Sequence, residues 1–68
     1  MTVQERQLLY EKYARLRDKQ NLTDYRVCKE TGIRSVTLTK WKQGAYVPKP
    51  DKLKKICDLI GVDITYFI

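Results

Sequence analysis

The fold turns on one stretch, "LTDYRVCKETGIRSVTLTKWKQG", residues 22–44. Its second half runs from Gly32 to Gly44 and holds few apolar residues: Ile33, Val36, Leu38 and Trp41. Hydroxyls, basic groups and an amide fill the remaining places. Wound at 3.6 residues per turn, Leu38 and Trp41 share one side, which leaves Ser35, Val36, Thr39, Lys40 and Gln43 facing outward. A valine between threonine and lysine gains little from water alone. It suits a partner surface that offers both methyl groups and hydrogen-bonding edges.

Upstream, Thr23 reads as the N-cap of a preceding helix, and Asp24 in its first turn favours the positive end of the helix dipole. Val27, Cys28 and Thr31 form the inner side of that helix, and Gly32 stops it. The tight reversal "TGIR" needs a residue that tolerates positive φ, which glycine supplies. The small Cys28 lets the two helices cross closely, and Val27, Cys28, Ile33, Leu38 and Trp41 then share one core. This pairing is a helix-turn-helix, the arrangement that lays its second helix in the major groove of DNA.

The flanks read as further helices. Residues 3 to about 20 form an amphipathic helix with Leu9, Tyr13 and Leu16 on one face; Gln20 and Asn21 end it, Asn being the best substitute for glycine in a left-handed turn. The third helix runs from about Ser35 to Gln43 and ends at Gly44. The two prolines in "AYVPKP" make that stretch a loop. A fourth helix spans Asp51 to Ile60, with Leu53, Ile56, Cys57 and Ile60 inward and Gly61 as its stop. Asp63 caps a last short turn, "ITYFI". Nothing reads as a strand. The expected fold is all-α, four or five short helices in one domain over residues 1–68, with the helix-turn-helix at about 23–44.

Charge points in the same direction. The net charge is +6, and residues 34–55 carry Arg34, Lys40, Lys42, Lys49, Lys52, Lys54 and Lys55 against Asp51 alone. The rest of the chain holds seven bases and seven acids and cancels, so the whole excess lies in one third of the sequence. A basic segment on a neutral body implies a polyanionic partner. There is no histidine, no acid pair flanking a nucleophile and no glycine-rich phosphate loop, so no enzyme activity is expected. No metal or cofactor is expected either. Cys28 and Cys57 read as small reduced core residues. No apolar run reaches the roughly 18 residues of a membrane span, and "MTVQERQLLY" is too polar for a signal peptide, so a cytoplasmic location is expected.

The stretch from Leu22 to Gly44 resembles the Cro and lambda-repressor-like helix-turn-helix family, often called the XRE family. The matching places are Leu22-Thr23, the small Cys28, Gly32-Ile33, Leu38, Trp41 and Gly44, and the likeness continues backward to "YARLR" and forward through "VPKPDKLKKICDLIGVDITYF". It implies a sequence-specific, double-stranded-DNA-binding transcriptional regulator of phage-repressor type. Three places depart from the family pattern. Cys28 stands where Ala is common, and Asp24 where Gln often contacts the DNA backbone. Arg34 stands where Ser or Thr would cap the recognition helix, so either Ser35 shifts the start by one residue or the cap is weak.

The resemblance and the helix face together assign base reading to Ser35, Val36, Thr39 and Lys40. Val36 suits a thymine methyl, Lys40 the O6 and N7 of guanine, and Ser35 and Thr39 either base type. DNA backbone contacts fall to Thr23, Arg34, Lys42, Gln43, Tyr46 and Lys49, with Lys52, Lys54 and Lys55 steering from farther off. Ile64, Tyr66, Phe67 and Ile68 crowd the last five residues, so at least one or two should face outward, and the family often pairs through its last helix; a homodimer through that segment is expected, the alternative being that Phe67 and Ile64 complete the core. A second reading is an antitoxin-like protein-interaction module that also binds DNA.

Overall fold

The computed structural model describes residues 2–67. Four α-helices follow one another, α1 (Val3–Lys19), α2 (Asp24–Thr31), α3 (Ser35–Lys42) and α4 (Pro50–Ile60), and a 3-10 turn (Ile64–Phe67) closes the described chain. No strand occurs among the described residues. Helix α1 packs against α3, α2 against both α3 and α4, and the 3-10 turn against α4.

Local chemistry explains the boundaries. A reciprocal capping box starts α1: the Glu5 N–H donates to Thr2 Oγ1 at 3.1 Å, and the Thr2 N–H donates to Glu5 Oε1 at 3.3 Å. The helix ends as the sequence implies, with Gln20 at the C-cap and Asn21 at φ 57°. Thr23 caps α2 by accepting the Arg26 N–H at 3.2 Å. Gly32 closes that helix in the left-handed region, at φ 77°. Helix α4 begins one residue earlier than expected because Pro50 takes the first helical position, where a missing N–H costs nothing. Asp63 caps the final turn, its Oδ1 accepting the N–H and hydroxyl of Thr65, both at 2.9 Å.

At eight residues, α2 and α3 are too short to persist alone in water, so packing must hold them. The packing centres on Trp41, which is fully buried. Its ring stacks on Tyr13 at 5.2 Å between centroids and meets the edges of Tyr10 at 5.5 Å and Phe67 at 5.9 Å. Val27, Ile33, Leu38, Leu53, Ile56, Cys57 and Ile60 complete the core. Every residue assigned inward on α4 is buried. On α1 the inward set differs: Tyr10 and Tyr13 are buried, while Leu9 and Leu16 are half-buried at the margin. Tyr10, three residues before Tyr13, joins the core because its ring reaches the indole.

Gly44 joins the recognition region to α1. A Cβ there would lie 2.6 Å from Val3 Cγ1 and 2.8 Å from the Val3 carbonyl oxygen, and the residue sits at φ 78°. The Gly44 carbonyl accepts Arg6 Nε at 2.6 Å. Gly32, by contrast, has open space around its missing side chain and only its φ to satisfy. Gly32→Ala should therefore cost about 1–2 kcal/mol, the ordinary left-handed penalty, and Gly44→Ala distinctly more. Trp41→Ala should cost roughly 3–5 kcal/mol. Urea denaturation of the three variants would check the ranking, and equal midpoints for the two glycine variants would contradict the close packing of α1 on Gly44.

Candidate nucleic-acid interface

Helix α3 buries Leu38 and Trp41 and exposes the rest of its circumference, apart from a half-buried Thr37. Arg34, Ser35, Val36, Thr39, Lys40, Lys42 and Gln43 are all exposed. Val36, the one apolar side chain on the outward face of α3, keeps 49% of its surface in water. The helix starts at Ser35, with Arg34 in the N-cap place and no side-chain bond to the first turn. Of the two alternatives the sequence leaves open, the weak cap is the one realised, because a guanidinium has no acceptor to offer the free N–H groups. At the other end Gln43 is the C-cap, one residue outside the helix.

Thr39 does not stand free. Its hydroxyl donates to the Ser35 carbonyl one turn earlier at 3.1 Å, which leaves its oxygen as an acceptor and its methyl outward. Among the described residues, no ion pair engages Arg34, Lys40, Lys42, Lys49 or Lys52. Their charges remain available to an outside anion.

Four of the six assigned backbone-contacting residues line two cavities on different flanks of α3. On one flank Lys42 and Thr23 border an open cavity of about 290 Å³, together with Tyr10, Arg17 and Asp24. On the other flank Tyr46 and Lys49 share a smaller cavity of about 170 Å³ with Thr37, Pro48 and Lys52. The Thr23 oxygen accepts the Arg26 N–H in capping α2, and its hydroxyl hydrogen is left to donate to an outside anion.

Asp24 has a role that its place at the head of α2 does not reveal. Its Oδ1 accepts the Tyr13 hydroxyl at 2.7 Å and Arg17 Nη1 at 2.7 Å, and its Oδ2 accepts the Tyr10 hydroxyl at 2.8 Å. Arg17 also reaches the Tyr10 oxygen at 3.1 Å and pairs with Asp18. The carboxylate is thus bonded to α1 and offset by a cation, while 37% of its side chain stays exposed beside Thr23 and Lys42. One signal in the sequence could have shown this: Tyr10, Tyr13 and Arg17 lie three and four apart on α1, so all three present polar tips along one face.

The network fixes ionisation states. Burial raises the Asp24 carboxyl, but hydrogen bonds from Tyr13, Arg17 and Tyr10 outweigh it and hold the group below the usual carboxylate range. Burial, and then the bond to Asp24, push both the Tyr10 and Tyr13 phenols above theirs. Burial likewise raises both cysteine thiols, so Cys28 and Cys57 stay protonated and unreactive.

At the C-terminus the structure divides the four apolar residues and removes Phe67 from the outward set. Phe67 is buried against Trp41 and is part of the core, so it cannot face a second copy. Ile64 is half-buried, and Tyr66 keeps 44% of its surface exposed, with Lys12 Nζ 5.3 Å above its ring. Ile68 lies outside the described residues. Among the described residues, no helix is long and apolar enough to cross a membrane.

An all-helical body that supports a short, basic, solvent-facing helix after a tight glycine turn defines a helix-turn-helix domain. The chain matches the Helix-turn-helix family over residues 14–67, most of its length, and belongs to that family of DNA-binding transcription regulators in its Cro and lambda-repressor-like form. No curated protein and no solved structure matches it.

The pH dependence of stability follows from the Asp24 network. A depressed carboxyl contributes stability that is present above its unfolded value, about pH 4, and lost as pH falls through the lower folded value. Raised phenols contribute stability that is present below about pH 10 and lost as pH climbs beyond it. Stability should therefore plateau between those limits. Asp24→Asn should cost about 1–2 kcal/mol at neutral pH, allowing for the partial exposure of the group. Chemical denaturation at pH 7 and pH 3 should show the gap from wild type narrowing in acid. A gap that stays constant would place the network's stabilisation elsewhere.

Proposed function

We propose that this chain recognises a specific double-stranded DNA sequence by laying α3 in the major groove, and that it acts in the cytoplasm as a phage-type repressor. The activity is binding, not catalysis. One observation carries the reading. On α3, Val36 stands half exposed among Ser35, Thr39 and Lys40, while Leu38 and Trp41 on the opposite side are sealed in the core. Such a face offers a methyl-packing group, hydroxyls and a free cation within two helical turns, and the major groove presents matching thymine methyls, amino groups and guanine acceptors. Because the Thr39 hydrogen is already bonded, its oxygen is suited to accept from an adenine N6 or cytosine N4 amino group.

Around this face, Thr23, Arg34, Lys42, Gln43, Tyr46 and Lys49 serve the phosphate backbone from both flanks. Their contacts fix orientation and supply salt-dependent affinity without reading sequence. One α3 presents only three or four base-reading side chains, too few to select a site in a genome. Two copies related by a dyad would read half-sites about 34–36 Å apart. We assign the contact between copies to the C-terminal segment through the exposed Tyr66 and the half-buried Ile64.

Selection of bound duplexes from a random pool, followed by titration of the selected site, tests the groove reading. Lys40→Ala or Val36→Ala should cost about 1–3 kcal/mol on the selected site and relax preference at one or two base pairs. Lys42→Ala should weaken all sequences alike and lower the salt slope by about one. Equal loss on selected and random DNA for Lys40→Ala would remove α3 from the groove. Sedimentation with a selected duplex should give two chains per site, and Tyr66→Ala should reduce this to one. A one-to-one complex on a non-palindromic site would overturn the dimer. A protein neighbour that copurifies tightly while duplex binding is lost would favour the antitoxin-like module instead.

A further inference from the structure

The flank of α3 at the head of α2 carries more carboxylate than its cation needs. Arg17 pairs with two acids, its Nη2 lying 3.0 Å from Asp18 Oδ1 and its Nη1 2.7 Å from Asp24 Oδ1. At neutral pH one guanidinium therefore faces two carboxylates, and one negative charge of the trio is left over. Exposure sharpens the imbalance. The Arg17 side chain is 17% exposed, against 37% for Asp24 and 68% for Asp18, so the acids meet water and the cation is the sheltered member. All three line the open cavity that also holds Thr23 and Lys42, two residues assigned above to the phosphate backbone. A surface shaped only to gather anions would not put a surplus carboxylate there. Stability does not call for the surplus either. Asp24 alone supplies the acceptor for Tyr10, Tyr13 and Arg17, and an exposed pair such as Arg17 with Asp18 adds little.

We infer that Asp18 and Asp24 form an electrostatic brake on DNA binding, holding down the phosphate affinity of this flank. The inference rests on the duplex-binding reading above and adds to it two residues that oppose binding. Asp24 has a double part, as the acceptor that ties α2 to α1 and as one of the repelling charges. Asp18 has only the second. The brake acts on phosphates, so it lowers affinity for every sequence and leaves base discrimination to the outward face of α3. Its consequence is greatest on random duplex, where phosphate neutralisation supplies essentially all of the affinity, and there it shortens the stay of the protein. Screening confines the effect to phosphates within about 10 Å of the two carboxylates. An acid elsewhere on the molecule would not substitute for them.

The test uses the full chain with a random and a selected duplex. Asp18→Asn should tighten binding to both by about threefold and steepen the salt dependence, with stability unchanged. Asp24→Asn should also tighten both, although it lowers stability. A merely structural residue would not give that pair of signs, because loosening α2 can only weaken binding. Tyr13→Phe supplies the contrast. It deletes one bond to Asp24 and no charge, so it should cost stability without tightening. Asp58→Asn makes the same change of net charge in another cavity, lined by Glu30, Thr31, Lys55 and Leu59, and should leave duplex binding nearly unchanged. If Asp24→Asn does not fold, Asp18→Asn decides by itself. Asp18→Asn that binds no more tightly than wild type would overturn the brake. Equal tightening by Asp58→Asn would overturn it too, by reducing the effect to net charge. Failure of the wild type to bind any duplex would instead overturn the reading on which the brake rests.

Discussion

Burial of the Trp41 indole constrains the placement of every other element. A tryptophan removes about 200 Å² from water, worth roughly 5 kcal/mol at the usual coefficient, a large share of the stability available to so small a domain. An eight-residue helix cannot hold that side chain by itself. It needs α1 to supply Tyr10 and Tyr13 on one side and the C-terminal turn to supply Phe67 on another. Once Trp41 and Leu38 point inward, the rotation of α3 about its own axis is fixed, and so is the identity of the residues that face solvent. The chemistry of the exposed face is thus a consequence of the core. The indole Nε1 finds no acceptor among the described residues, a cost tolerated for the sake of ring packing.

A second constraint acts at the junction of α1 with the helix-turn-helix. Asp24 at the head of α2 is bound by two phenols and a guanidinium from α1, and Gly44 after α3 receives Arg6 from the same helix. Helix α1 therefore holds the recognition unit at its beginning and at its end. This has an electrostatic benefit. An unpaired carboxylate at the edge of a basic surface would repel an anion, whereas one paired with Arg17 is offset locally and leaves the excess of charge on α3 and the loop that follows. The stability of the junction at the head of α2 and the local charge balance rest on the same four side chains, Tyr10, Tyr13, Arg17 and Asp24.

The two flanks of α3 are correspondingly different. The side near Lys42 contains Asp18 and Asp24 as well as Arg17, so its local charge nearly balances. The cavity near Lys49 and Lys52 is lined by cations without acids, and the one acid of that turn, Asp51, is outnumbered there. Duplex DNA approaching this surface would meet an uneven field, stronger toward the α3–α4 loop. On the docking proposed above, that asymmetry would give the helix a preferred direction before any base edge is read.

Much of this was legible in the linear sequence, because local rules determine it. The caps at Thr23 and Asp63, the stops at Asn21, Gly32 and Gly61, and the period of Leu53, Ile56, Cys57 and Ile60 depend only on residues within a turn or two of one another. The outward set on α3 was legible for the same reason, since Leu38 and Trp41 fix the phase of the helix. Tertiary structure alone decided what depends on distant partners. Tyr10 enters the core because its ring reaches an indole thirty-one positions away, and Asp24 becomes a ligand of α1 because the turn folds it back there. Phe67 is claimed by the core rather than by a second copy, since a hydrophobic side chain near a terminus packs wherever the body leaves room. The cavity joining Thr37 to Lys52 exists only once the α3–α4 loop has closed. No spacing in the sequence encodes that closure, because it results from the sum of weak contacts across the whole fold.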